Sequence, residues 1–553
     1  MTSWKLWGLC AVALGLWGGP AGAQPVPTVD APAGIVSGSV EGDIAIYRGI
    51  PYARPPVGDL RWRTPEPLPR WEGVRNATMF GDACPQPASP YATHASMSED
   101  CLSLNIWGAT DVVDAPVLVW IHGGSLVSGA GSEAIYDGSR FARQGLVVVT
   151  INYRLGPLGW MAHPALSAET ADGISGNYGL MDQIQALSWV RQNIAAFGGN
   201  PDNVTIAGES AGALSVLYLM ASPEARGLFH RAIAQSGYLI TVPELRDGTF
   251  ENWPDAETVG LAVADQIGAA DLADLRAMEA GDLITAVAGT GYFPLGTLDG
   301  HLLPDQVIDV FERGEQAPVP LMAGYNEGEI RSLRFLLPPA PEGPTSYERE
   351  IGARYGDLAD VFLSLYPSTD IDESMLATTR DALYGWTAEK LVRTQTAAGA
   401  SGYLYYFDHG YPAADNAGYR AFHASEIPFV FGTMDRTPAY WPHIPETSTE
   451  QRLSDAMVSY WASFARGGVP LAPGEPPWQA YDQSRPYMRF EAAPTAAVAP
   501  PNGFWLHEEV VCRRRAAGGL PWHWNVGLIS PPLPPRASQC GMGGPENFDL
   551  SLR

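Results

Sequence analysis

"NVTIAGESAGALSVLYLM", residues 203–220, reads as two halves that meet at Ser210. The run 203–208 is short and rich in β-branched residues, as a strand is, and the apolar run 211–220 that leaves it suits a buried helix. Between them Gly208-Glu209-Ser210-Ala211-Gly212 matches G-x-S-x-G. The pattern acquires meaning from its strand-before, helix-after setting. The glycines permit a tight turn and close strand–helix packing. The turn lifts the Ser210 hydroxyl above the carboxyl end of a sheet and aims the positive end of the helix at the same place.

Further strands extend the pattern on both sides. "PVLVWIH" (116–122), "LVVVTINY" (146–153), "RAIAQSG" (231–237), "PVPLMAGY" (318–325) and "GYLYYFD" (402–408) are continuous apolar runs, which suit a sheet buried on both faces. "DIAIYRGIPYA" (43–53) reads as an antiparallel edge element. Helical periodicity marks 180–199 and 454–468, each ending in a glycine pair. Strand and helix in alternation predict an α/β fold with a mostly parallel, twisted central sheet and helices on both faces. No composition break divides the chain, and the Pro-rich stretches 337–344 and 531–535 read as surface excursions.

The 553 residues are 46% hydrophobic and 17% charged, a globular composition. A net charge of −26 excludes nucleic acid as a partner, since phosphate binding needs clustered Lys and Arg. Lys5, the apolar stretch after it and "AGA" at 21–23 read as a signal peptide over 1–23, leaving 24–553 as one domain, periplasmic or extracellular and without a membrane anchor. Four cysteines remain, an even number suited to disulfides in an exported chain. Three pairings are open. The local one, Cys84–Cys101 with Cys512–Cys540, closes two short loops worth about 3 kcal/mol each.

A serine hydroxyl needs a base, and the base an acid to hold it. With this turn the expected chain order is Ser, acid, His. Glu327 and Glu329 both leave the strand "PLMAGYNEGE". His409, His423, His443, His507 and His523 all follow in order.

Four ordered motifs bring in a resemblance. "YRGIPYARPPVGDLRWRTPEP" (47–67), "SEDCLSLNIW" (98–107), "FGGNPDNVTIAGESAGA" (197–213) and "AFHASEIPFVFG" (421–432) resemble signatures of the type-B carboxylesterases, the second being that family's disulfide motif. The resemblance implies an α/β-hydrolase fold whose large loop and helix insertions form a gorge or lid. It implies the triad Ser210, Glu329 and His423, with Glu327 as the minor alternative acid. It places an oxyanion hole at the backbone N–H groups of Gly124, Ser125 and Ala211, in "HGGSLVSGAG" (122–131) and after the nucleophile. Ser125 and Leu126 depart from the family's usual Gly or Ala and aromatic, so the acyl pocket has its own shape. The loop 84–101 has no Trp to stack on a quaternary ammonium, only Tyr91, which speaks against choline esters.

The expected activity is therefore two-step hydrolysis of small-molecule esters through an acyl-enzyme, with no metal or organic cofactor. Because the base must be neutral, activity should fall in mild acid. The same triad would serve a thioesterase, amidase or lactonase. A non-catalytic adhesion-type binding protein is the remaining alternative, and family members of that kind lack the serine. Arg331 or Arg334, ahead of the Pro-rich loop, could hold a carboxylate-bearing ester.

Overall fold

A computed structural model describes residues 26–88, 96–250, 253–500 and 504–540, together with Met1. The signal peptide expected from the sequence, Met1 apart, and Tyr91 lie outside the described residues.

Among the described residues eleven strands form one mixed sheet. In chain order they are β1 (Ser39–Glu41), β2 (Ile44–Pro51), β3 (Ser103–Ala109), β4 (Ala115–Ile121), β5 (Val147–Ile151), β6 (Gly199–Glu209), β7 (Arg231–Gln235), β8 (Leu321–Asn326), β9 (Gly402–Phe407), β10 (Pro486–Phe490) and β11 (Pro494–Val498). Their spatial order is β11-β10-β9-β8-β7-β6-β4-β5-β3-β2-β1. Every neighbouring pair from β10 through to β5 is parallel, and the pairs beyond both ends are antiparallel. The antiparallel reading of residues 43–53 agrees with β2, which pairs antiparallel to β3, but β2 is not the edge strand, since β1 pairs along its other side.

The apolar runs are continuous because the sheet is covered twice. Val117, Val119 and Ile121 of β4 join one buried cluster, while Leu118 and Trp120 between them join another on the opposite face. Val147, Val149 and Ile151 of β5 split from Val148 in the same way. Each such Val or Ile is worth about 1.5–3 kcal/mol on burial. The helices that cover the sheet include α1 (Tyr178–Asn193), α2 (Ala211–Ala221), α3 (Trp386–Ala397), α4 (Ser448–Gly467) and α5 (Phe504–Ala516). Every residue of α2 is buried, matching its lack of a polar stripe. Two insertions rich in helix follow β7 and β8, over 236–320 and 327–401. Disulfides join Cys84 to Cys101 and Cys512 to Cys540, so each closes its loop locally.

Candidate active site

Ser210 stands between the end of β6 and the start of α2 with φ 57° and ψ −121°, a conformation few non-glycine residues adopt. Only glycines fit on either side. A Cβ on Gly212 would lie 2.1 Å from the Ile121 carbonyl oxygen, and one on Gly208 would lie 2.5 Å from the Gly212 backbone. The Ser210 amide is fixed by donating to the Gln235 carbonyl of β7 at 2.9 Å. The turn is therefore held by backbone on three sides, and its strain is carried by the surrounding sheet.

The loop after β4 folds over this turn. A Cβ on Gly123 would come within 3.2 Å of Ser210 Cβ and 3.0 Å of Glu209 Oε2, so only a glycine backbone approaches so closely. Gly124, Ser125 and Leu126 all have positive φ, at 105°, 58° and 60°. Gly124 turns its carbonyl to the amides of Val127 and Ser128, at 2.9 and 3.0 Å. Among the described residues the Gly124 and Ser125 amides donate no hydrogen bond. Ala211 opens α2, and the first N–H groups of a helix have no partner within it. Gly124 and Ser125 follow Gly123 in the loop over the turn, and Ala211 follows Ser210 within it.

His423 meets Glu329 through a long-range contact. Gly328 forms a parallel bridge with Phe422, and its amide donates to the Ala421 carbonyl at 2.7 Å. That bridge lays the turn after β8 beside the loop carrying the imidazole. His423 Nδ1 and Glu329 Oε2 are 2.5 Å apart, and Glu329 Oε1 accepts from the Asn326 amide at 2.8 Å. Glu329 is fully buried. Glu327 goes elsewhere: it faces Arg420, Arg331 and Arg380 at 3.2, 3.7 and 3.8 Å.

Two more buried carboxyls, missed in the sequence reading, surround the imidazole. Glu209, the residue before Ser210, places Oε1 3.2 Å from His423 Nε2. Glu426 accepts from Gln235 Nε2 at 2.9 Å and from Asn326 Nδ2 at 2.6 Å. Trp461 Nε1 donates to Gln235 Oε1 at 2.9 Å, extending the chain beneath the site. Both acids sit inside motifs already singled out, Glu209 within G-x-S-x-G and Glu426 three residues after His423. Burial disfavours the His423 imidazolium, but the nearby Glu209 and Glu329 carboxylates outweigh it and raise the group to about 9. Burial pushes Glu209 up to about 8, against the attraction of His423. The two titrate as a coupled pair. Among the described residues Ser210 Oγ makes no hydrogen bond.

The other candidates are engaged differently. His409 is buried edge-on to Phe429 and 3.7 Å from Glu450. His507 shares a hydrogen bond with the Tyr366 hydroxyl at 3.1 Å, His523 packs on Trp253, and His443 is exposed. From the sequence, Arg331 or Arg334 could hold a carboxylate-bearing ester. In the structure the carboxylates they meet are the chain's own: Arg331 binds Glu373 at 2.7 Å and Arg334 binds Asp372 at 2.8 Å. Both partners lie some forty residues further along the same insertion, out of reach of any local pattern.

A mostly parallel sheet carrying a serine on a strained strand-to-helix turn, below bare backbone amides, defines an α/β-hydrolase. The Carboxylesterase family model matches residues 25–503, and the chain belongs to that family. It is 35% identical to a fumonisin B1 esterase from Sphingopyxis macrogoltabida, covering 83% of this chain and 85% of the relative. It is 36% identical to a para-nitrobenzyl esterase of Bacillus subtilis, covering 81% and 91%. A solved PNB esterase structure superposes with a TM-score of 0.74 at 34% identity, covering 86% of this chain and 97% of the other. The protein is a carboxylic ester hydrolase. Among the described residues no helix is long and apolar enough to cross a membrane.

Proposed function

We propose that the chain hydrolyses small-molecule esters through an acyl-enzyme on Ser210. His423 Nε2 takes the hydroxyl proton as Oγ attacks the carbonyl carbon. Glu329 fixes the imidazole through Nδ1 and stabilises the charged ring. The tetrahedral oxyanion sits on the amides of Gly124, Ser125 and Ala211, where loss of one such donor typically costs about 2.7–4 kcal/mol. Collapse expels the alcohol, which takes the proton from His423. Water, giving its proton to the same nitrogen, then attacks the acyl-enzyme, and breakdown returns the acid and the free serine. No step needs a metal or organic cofactor.

The observation that carries this reading is the 2.5 Å contact between His423 Nδ1 and the buried Glu329, beside the strained Ser210 turn. Thioester, amide and lactone hydrolysis remain as side activities of the same machinery. The two disulfides support export to an oxidising compartment after loss of residues 1–23, with the remaining chain acting as one hydrolase domain. The test is Ser210→Ala. Turnover of p-nitrophenyl acetate should fall by about 10⁴-fold or more while the thermal transition stays. An organophosphonate probe should label the wild type and not the variant. Retained activity or labelling would overturn the assignment.

A further inference from the structure

The family match ends at residue 503, yet the chain continues through α5 into a strap, residues 517–540. The strap is held at its base by the Cys512–Cys540 bridge and built around one buried side chain. Arg514 donates to the carbonyls of Pro521 and Asn525 at 3.3 and 2.7 Å and to Ser530 Oγ at 2.8 Å. Its tip docks on the insertion after β7. The Thr241 amide donates to the Trp522 carbonyl at 2.7 Å, and the Trp522 ring is buried 5.1 Å from that of Trp386.

This docking leaves His523 and Trp524 as one wall of a cavity of about 330 Å³. Trp160, Trp253, Tyr292 and Phe293 supply much of the rest. The volume falls at the low end of small-molecule pockets, about 300–1,000 Å³. Among the described residues its lining contains no Lys, Arg, Asp or Glu, and burial pushes His523 down to about 4, so the described lining is uncharged at neutral pH. Trp524 contacts Phe293 edge-on at 5.4 Å and lies 6.4 Å from Tyr238. Tyr238 lies 6.1 Å from Tyr384, whose ring stands 5.3 Å from that of His423. The cavity is therefore two aromatic rings from the imidazole.

We infer that this cavity is a specificity site for a neutral aryl group of the ester, and that the C-terminal strap supplies its wall through Trp524 and His523. The inference rests on the proposed role of His423 and Ser210 in placing the reacting carbonyl near it. Flat aromatic faces recognise a ring through apolar burial and edge contacts, and they offer nothing to an anionic group. The aryl group comes from either side of the ester bond, so two substrates separate the sources: methyl 2-naphthoate carries it in the acid, 2-naphthyl acetate in the alcohol.

The experiment measures kcat/KM for both relative to ethyl acetate, in the wild type, in Trp524→Ala and in Val259→Trp, which fills the cavity from the helix Ala256–Gln266. For one of the aryl esters the ratio should fall about tenfold in both variants. The ester affected names the side of the bond. A fall below about threefold for both esters in Val259→Trp overturns the inference, as it would mean that the filled volume is not used. Saturation-transfer NMR with 2-naphthol on the Ser210→Ala protein adds a readout free of turnover. Binding that disappears when Val259→Trp is added supports the cavity even if another residue proves to be the nucleophile. Binding that persists counts against it.

Discussion

Asp182 and Glu209 are both buried carboxyls in the same molecule, at 0% and 4% exposure, and their surroundings differ. Asp182 is matched. Arg154 Nη2 donates to its Oδ1 at 2.7 Å, and Arg154 Nε and amide donate to its Oδ2 at 2.8 and 3.0 Å. Among the described residues no guanidinium pairs with Glu209. Its Oε1 accepts no hydrogen bond and faces an imidazole that Glu329 and Glu426 also influence. One site has its carboxylate matched in charge and hydrogen-bonded on both oxygens, as a structural element requires. The other sets three carboxyls around a single base and leaves them short of cations. Such mismatch destabilises the fold locally and moves protons toward ordinary working pH, which is useful only where protons are transferred.

The comparison breaks most visibly at Glu329. Glu329→Gln leaves the shape of the site but cannot hold the imidazolium, so kcat for p-nitrophenyl acetate should fall by about 10⁴-fold, or roughly 5.5 kcal/mol. Activity within tenfold of wild type would place the acid elsewhere, with Glu327→Gln as the control that should change little. The matched pair gives a smaller effect of a different kind. Arg154→Met strands Asp182 without a partner and should lower stability by about 3–5 kcal/mol, read as a denaturant midpoint. The companion Asp182→Asn, Arg154→Met variant should recover part of that loss. If the single change is silent, Asp182 is not relying on its partner and the contrast with Glu209 fails.

How far the molecule was legible in its sequence follows the same divide between local and distant. The Ser210 turn could be read because its requirements are adjacent in the chain: Gly208 and Gly212 clear the backbone of Ile121, and strand and helix flank them. The sheet could be read because double-faced burial writes unbroken apolar runs such as Val147–Ile151. The choice between Glu327 and Glu329 rested on a family spacing, since both leave the same strand. What separates them in space is the Gly328–Phe422 bridge, a pairing across nearly a hundred residues that no periodicity announces. The partners of Arg331 and Arg334 were hidden for the same reason, as was the wall built by Trp524. Glu209 and Glu426 were visible as letters, but their burial was not.

The smallest expected effect sharpens the comparison most, because it asks whether the unmatched carboxyl tunes the base. A base must be neutral to accept the serine proton, so kcat/KM should rise with pH through the titration of the free enzyme. With His423 raised to about 9 by Glu209 and Glu329, that limb belongs above the ordinary histidine range near 6.5, so the fall expected in mild acid begins already on the alkaline side. Glu209→Gln keeps the volume and the burial but removes one of the two carboxylates that favour the imidazolium. The limb should then move to lower pH by about one unit, so that the variant retains more of its plateau at pH 7 than the wild type does. Stability has its own sign. Both groups hold protons more tightly folded than unfolded, so their contribution is complete at acid pH, declines for Glu209 between 4.5 and about 8, and declines for His423 between 6.5 and about 9. Thermal melts of the wild type should therefore lose Tm across this window, and Glu209→Gln should flatten the loss. A pH–rate limb and a melting profile that both stay in place on Glu209→Gln would show that Glu209, like Asp182, is only a packed side chain.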